Sequence, residues 1–376
     1  MKQHILISGA GVTGLALAYW LNRLGIGVTV IERTPAFRRG GHAVDVRGVA
    51  LDVLKAMRLH EQASTLRTRS KGMSILDAQG NEIQRNEERT FSAGRLDSKD
   101  IELFRDDLCQ LLLDSLGNSV PLRYSESIRS ITQDASSVTV DFLSGTEERF
   151  DVIVGADGVY SPTRKLEFDE ETAVVRPVGA VLAFFGVPNC LGLDHWQLAH
   201  RADGVGYVMY PNREQDELRV GVGYAAKGNE VSRHDVAAQK AMVAEKCSRL
   251  GGFFPKIVEA MKETSQFYYN ELAQIHMARW SRGRVVLAGD AAHCASPFTG
   301  QGTSLAIVGA LILAYELSRR PEQPSEAFAA YEEHMRPYVA INQSLLDLTR
   351  EGPIPDEQMD RAKHAIDIGQ IISDLS

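Results

Sequence analysis

Three stretches of this sequence place glycine, twice with an aspartate, directly after a short apolar run. Ile5-Leu6-Ile7 leads into Gly9-Ala10-Gly11-Val12-Thr13-Gly14, Val152-Ile153-Val154 into Gly155-Ala156-Asp157-Gly158, and Val285-Val286-Leu287 into Gly289-Asp290. Glycine at the end of a strand lets the backbone turn sharply and lets its amides come close to an anion, while a carboxylate there can accept hydrogen bonds from sugar or polyol hydroxyls. The chemistry such residues offer is the holding of a phosphorylated ligand.

The elements that position them can be read from the pattern. Residues 4–33 give an apolar strand, a glycine turn, a helical pattern ending near Leu24-Gly25, and a second strand, GVTVIER, that ends on Glu32 and Arg33. Strand, glycine turn, helix, strand and acid within this span form a dinucleotide-binding unit. Gly9 serves the tight turn, Gly11 the close approach to a pyrophosphate, and Gly14 the packing of helix on strand. The anion then faces the amides of Val12, Thr13 and Gly14 at the positive end of the helix dipole. A secretory signal could share the apolar run and the triplet Ala16-Leu17-Ala18. It would need neither the glycine spacing nor the second strand with its acid.

A single such unit serves NAD and FAD alike. The downstream motifs separate them, together with the glycine-rich run Pro297-Phe298-Thr299-Gly300-Gln301-Gly302 that precedes the apolar segment TSLAIVGALILAYEL. Taken in order along nearly the whole chain, these motifs resemble the single-component FAD-dependent aromatic hydroxylases similar to para-hydroxybenzoate hydroxylase. Within that group they look closest to the tetracycline-inactivating and polyketide-hydroxylating monooxygenases.

The resemblance implies an α/β protein with a Rossmann-like FAD-binding domain, an inserted mainly β substrate-binding domain and C-terminal helices. It implies non-covalent FAD held by Gly9, Gly11, Val12, Thr13 and Gly14 at the pyrophosphate, by Glu32 and Arg33 near the adenosine ribose, and by Arg105 on its helix. It further implies cofactor contacts from Asp157, Asp290, Arg47, Pro297, Gly300, Gln301 and Gly302. NADPH or NADH would dock transiently as reductant, O2 would be activated as a flavin C4a-hydroperoxide, and the oxygen would pass to an aromatic or polycyclic small molecule. Catalysis would then be borne by the flavin, with no catalytic side chain required. The alternative from a different class is a flavin-bound sensor or sequestering protein without turnover. Trp20, Trp196 and Trp280 do not form the signature of flavin halogenases.

Between the second and third motifs the texture changes to a run of strand-like segments, with helical patterns near 231–248 and 253–263. The expected division is FAD-binding over 1–69, 96–171 and 277–322, substrate-binding over 70–95 and 172–276, and C-terminal helices over 323–376, the last two helices near 325–349 and 356–373. In ELRVGVGY, alternation puts Leu218, Val220 and Val222 on one face and Arg219, Gly221 and Gly223 on the other. Arg219, with Gln197, Pro297 and Phe298, is the candidate substrate contact. His293 and Cys294 lack partner spacing for a metal or a dyad and read as packing residues.

A net charge of −8 argues against a nucleic-acid partner. The four cysteines, Cys109, Cys190, Cys247 and Cys294, lack zinc or disulfide spacing, as expected of free thiols in a cytoplasmic protein. No apolar run reaches the roughly 18 residues that span a bilayer. A monomer or homodimer is expected.

Overall fold

The computed structural model describes residues 3–37, 39–169, 172–202, 204–226, 228, 231–350 and 352–375. Its first sheet has the strand order Ser281–Arg282, Val285–Leu287, Val152–Gly155, His4–Ser8, Gly27–Glu32, Leu122–Tyr124. All pairs are parallel except the first. The register sets Ser8 beside both Gly155 and Ile31, and Gly155 beside Leu287. Parallel strands in this register finish together, so the three glycine turns leave from one edge.

The strands are apolar on both faces because both are covered. Ile5, Ile7, Val30, Val152 and Val154 join the large helical core, whereas Leu6, Ile31, Ile153 and Val285 join a second core with Val138, Val140, Phe142 and Phe150. That second cover is an antiparallel sheet of Ile128–Gln133, Val138–Phe142 and Glu147–Phe150, which the sequence reading does not contain. On the helical side, Gly302–Arg319 is buried on every face from Ser304 to Leu317 and packs against Val12–Arg23 and Pro324–Gln343.

A second, seven-stranded sheet runs Phe267–Met277, Ala173–Pro188, Glu217–Ala225, Val205–Pro211, Trp196–Ala202, Gly72–Leu76, Glu82–Asn86. Only the pair Trp196–Ala202 with Gly72–Leu76 is parallel. One face, carrying Val181, Phe185, Leu218, Val220 and Val222, packs on helices Val236–Lys246 and Phe254–Glu263 through Val243, Ile257 and Met261. The other face carries Phe184, which stacks on His42 at 4.4 Å, and Arg219, 5.6 Å from the Phe104 ring centroid. A two-stranded ribbon, Ala43–Val46 with Ile101–Phe104, stands between the two sheets' territories.

The C-terminal helices differ from the sequence reading. The first is Pro324–Gln343 and stops where the Gln343 amide nitrogen donates to the carbonyls of Ile275 at 2.8 Å and Cys294 at 3.2 Å. The second is two helices, Asp356–Lys363 and Gly369–Leu375, with Asp367 accepting from the Gly369 amide at 2.8 Å to start the latter. Among the described residues no helix is long and apolar enough to cross a membrane.

Phe142 is fully buried in the second core, away from the glycine turns. Phe142→Ala is expected to cost about 3–5 kcal/mol of unfolding free energy, read from urea titrations.

Candidate functional site

The three glycine turns touch. Gly9 has φ 112°, and a Cβ there would strike the Ala156 carbonyl. One at Gly14 would strike the Gly9 carbonyl, and one at Gly289 the Thr13 hydroxyl. Gly11 differs from these three: a Cβ there meets no protein atom within 4 Å, as is also the case at Gly158.

Gly11 is also the N-cap of Val12–Arg23, a helix with no capping side chain and no acidic residue in its first turn. Its leading amides therefore have no partner from a capping group, and an anion is the group that satisfies both them and the dipole. Glu32 stands beside this turn with its carboxylate fixed. It accepts from the Ala10 amide at 3.1 Å and from the Thr34 amide and hydroxyl at 3.0 and 3.1 Å. Arg33, the next residue, is exposed.

Arg105 opens the helix Arg105–Leu116, its amide donating to the His42 carbonyl at 3.0 Å. Its half-buried guanidinium lies 5.9 Å from the Tyr268 ring centroid and pairs with no carboxylate among the described residues. His42 stacks on Phe184 at 4.4 Å, and burial together with the Arg105 charge lowers its pKa to about 3, so it stays neutral.

The two aspartates have different duties. Asp157 is heavily engaged by the protein: its Oδ2 accepts from the Thr163 amide and hydroxyl at 3.0 and 2.7 Å and from Ser8 at 3.4 Å, and its Oδ1 accepts from Ser161. Its carboxylate ties the second turn to the first strand. Asp290 opens the short helix Asp290–His293 and is exposed, although protein atoms crowd around it. Burial raises its pKa. A Cβ built on Gly302 would lie 3.9 Å from its Oδ1.

Gly302 begins the longest uncapped helix end in the site, again without a capping side chain or an acid in the first turn. The loop before it is strained. Ser296 has φ 77° and a buried Oγ without a partner, and Gly300 is left-handed at φ 63°. Gln301 is fully buried with its amide nitrogen 2.7 Å from Met359 Sδ, while Pro297 and Phe298 are exposed. Arg47 faces this loop: its Nη2 lies 3.7 Å from where a Gly300 Cβ would be, and its amide donates to Ser304 Oγ at 3.0 Å. Its guanidinium pairs with Asp45 at 2.7 Å.

Two expected substrate contacts are otherwise engaged. Gln197 is fully buried, its amide oxygen accepting from Phe91 and Ser92 amides at 2.7 and 3.2 Å and its nitrogen donating to Ser92 Oγ at 2.7 Å. It holds a loop. Arg219 does lie on the inward face, but it pairs with Glu217 at 3.1 Å and Asp106 at 3.8 Å and donates to Gln266 at 2.8 Å. The space over Gly221 is taken by Phe184, 2.7 Å from a Cβ there, so the glycine leaves room for a ring of the protein rather than for a ligand.

His293 packs on Trp280 at 4.7 Å, with a pKa lowered by burial to about 4. No His, Cys, Asp or Glu group among the described residues could hold a metal. The sequence reading does not single out Asp45, Glu102, Asp106 or Tyr210. The signal for the first two is an acid inside an apolar tetrapeptide, AVDV and IELF.

Comparison with known proteins places these features in a family. The profile described as "FAD binding domain" matches residues 2–342. An uncharacterised protein of Mycobacterium tuberculosis is 41% identical over 366 residues, covering 97% of this chain and 98% of that one. A flavin-dependent monooxygenase of Legionella longbeachae is 34% identical over 339 residues, covering 90% and 86%. The crystal structure of tetracycline destructase Tet(51) superposes with a TM-score of 0.87 at 32% identity, covering 100% of this chain and 97% of that one. Tet(55) does so with 0.86 at 32%, covering 97% and 98%.

Gly11→Val is expected to leave the apo-protein's melting temperature within about 1 kcal/mol equivalent of wild type, because its side chain enters open space, and to abolish dinucleotide retention. Gly14→Ala should instead lower apo stability, since its methyl meets backbone. Thermal melts of apo-protein beside flavin fluorescence titrations separate the two.

Proposed function

The chain belongs to the FAD binding domain family and is a flavin-dependent monooxygenase, and we propose that it hydroxylates an aromatic or polycyclic, polyketide-like molecule held between the Pro297–Gly302 loop and the inward face of the seven-stranded sheet. What supports this is that the uncapped helix start at Gly11 lies among the touching glycine turns, that the third of these turns leads into the exposed Asp290, 3.9 Å from a Cβ built on the second uncapped start at Gly302, and that Arg105 pairs with no carboxylate among the described residues. These groups complement a long ligand with a pyrophosphate at one end of its span and a ring that gains negative charge at the other.

On this reading the Val12 to Gly14 amides hold the pyrophosphate, Glu32 accepts from the adenosine ribose while anchoring the Ala10 amide, and Arg105 supplies the neutralising charge. Asp290 accepts from the ribityl chain, and the amides at Gly300 to Gly302 face the ring. Bound flavin supplies the redox chemistry, taking hydride from NAD(P)H and activating O2 for transfer of one oxygen to the substrate. The protein's part is to bind, orient and exclude water. Pro297 and Phe298, exposed beside the loop, offer apolar surface for a flat substrate. Asp157 acts through the turn it fixes, and Gln197 through the loop at Phe91 and Ser92. Free cysteines fit a reducing, cytoplasmic setting.

The likeness to tetracycline destructases makes tetracycline-like polycycles the first compounds to test. NAD(P)H consumption should rise on adding a substrate and a product heavier by one oxygen atom should appear. FAD retention without stimulation or product across such a panel would support a sensor instead. Asp290→Ala is expected to weaken FAD binding by about 1.5–3 kcal/mol, the loss of a charged hydrogen bond, measured by fluorescence titration of apo-protein.

A further inference from the structure

The ribbon that stands against the flavin loop carries a charge arrangement that the reading above does not use. In Ala43–Val46 and Ile101–Phe104, Val46, Ile101 and Leu103 point into the helical core, which leaves Asp45 and Glu102 on the opposite face. The antiparallel register makes Asp45 and Glu102 direct partners. Cross-strand neighbours have their side chains within contact range, so two carboxylates are held together on one face. Both are secluded: Glu102 is 6% exposed and the Asp45 side chain 10%.

The cations around them do not balance the acids. Arg47 pairs with Asp45 at 2.7 Å and lies 3.8 Å from Asp100, and Lys363, from the helix Asp356–Lys363, reaches Asp100 at 3.2 Å. Among the buried side chains three carboxylates therefore share two cations; outside them the exposed Asp360 also pairs with Lys363 at 3.6 Å, and the Arg67 guanidinium donates to the Asp100 and Lys99 carbonyls at 2.8 and 3.0 Å. Arg47 and Lys363 bond the other two acids, and Glu102 is the one left over. It pairs with no cation among the described residues: the Thr68 hydroxyl donates to Oε2, the Ser92 side chain stands close enough to help lower its pKa, and the buried Oε1 has no well-formed hydrogen bond. Tyr210, whose oxygen accepts from the Ala43 amide at 3.0 Å, is the titratable group facing the cluster from the seven-stranded sheet. Its pKa is pushed up by burial and by Glu102, so it stays neutral.

We propose that Glu102 is a protonation switch: it binds and releases one proton opposite Asp45, and so sets whether the group that carries Arg47 against the Gly300 turn is neutral or singly negative. Burial raises the Asp45 pKa as well, while the Arg47 charge and hydrogen bond act to lower it, so of the facing pair Asp45 is the carboxylate that has a cation bonded to it. When Glu102 carries the proton, the five groups sum to zero. When it ionises, an uncompensated negative charge appears within the cluster whose Arg47 bonds Ser304 through its amide and whose Arg47 Nη2 lies 3.7 Å from where a Gly300 Cβ would be. Glu102 is a positioning residue here, acting through Arg47 on the loop, and the functional half of the proposal rests on that loop being the flavin-facing one.

Burial, then the Asp45 charge, raises the Glu102 pKa from 4.5 to about 7. Its folded state thus holds the proton more tightly than its unfolded state, so the stabilisation it gives is full below 4.5 and is lost as pH rises to about 7. Thermal melts of apo-protein across that window test this without any cofactor. The melting-temperature difference between wild type and Glu102→Gln should fall steadily from the acid end to about pH 7 and be flat above it. Asp45→Asn, which removes the facing charge and frees Arg47, should move the wild-type transition to lower pH. In the FAD-loaded enzyme, the substrate-free rate of flavin reduction by NAD(P)H should show a break near pH 7 that Glu102→Gln removes. A pH-independent offset between wild type and Glu102→Gln in the apo melts, or a transition unmoved by Asp45→Asn, overturns the proposal. A failure to retain FAD would instead overturn the flavin assignment and leave the apo titration to judge Glu102.

Discussion

The close approach of backbone to backbone at the edge of the parallel sheet is the constraint on which the rest of the structure depends. Gly14 must sit against the Gly9 carbonyl, Gly9 against the Ala156 carbonyl, and Gly289 against Thr13. No side chain fits at any of these three contacts, so the first strand, the helix behind it and the two later turns are locked into one cluster. Asp157 reinforces the lock by spending its carboxylate on Ser8, Ser161 and Thr163. What remains unfilled, above Gly11, is then a property of the fold rather than a packing defect.

Charge is distributed by the same economy. Helix Val12–Arg23 and helix Gly302–Arg319 both start at this cluster, and neither spends a side chain on capping itself. Most helices here lack a capping side chain, but among the described helices of eight or more residues only these two and Phe254–Glu263 also lack an acid in the first turn, and these two start at the same cluster. Gln197 is held on both its side-chain atoms by Phe91 and Ser92, whereas the cluster around Arg219 keeps buried unpartnered atoms at Arg219 Nε, Glu217 Oε1 and Asp106 Oδ1. Arg105 pairs with no carboxylate among the described residues, and Asp290 is exposed beside Cys294.

Much of this was legible in the sequence, and the reason is spacing. Glycines at fixed offsets after apolar runs report local backbone geometry, which needs no knowledge of distant neighbours. Parallel pairing then brings the turns together, so Gly9, Ala156 and Gly289 meet as their strand ends imply. Arg219 and Gln197 show where the inference stops. Alternation correctly places Arg219 opposite Leu218 and Val220, but the occupant of the space beside it is Phe184, which arrives from another strand. Val138, Val140 and Phe142 alternate with polar residues as a half-buried strand does, but the sheet they build is defined by antiparallel pairing with Ile128–Gln133 and Glu147–Phe150, whose own apolar positions are few. Asp45 and Glu102 were each visible as an acid among apolar residues, yet only the register reveals that they face each other.

The central claim is that two uncapped helix starts, joined by the glycine cluster, receive opposite ends of one flavin nucleotide. Amide hydrogen exchange at single-residue resolution, comparing apo-protein with FAD-saturated protein, tests it most directly. The account predicts slowed exchange at the amides of Val12 to Gly14 and, together with them, at Gly302 to Ser304, with the Phe142 core unchanged. Protection confined to one of the two helix starts, or spread evenly through the chain, would contradict it.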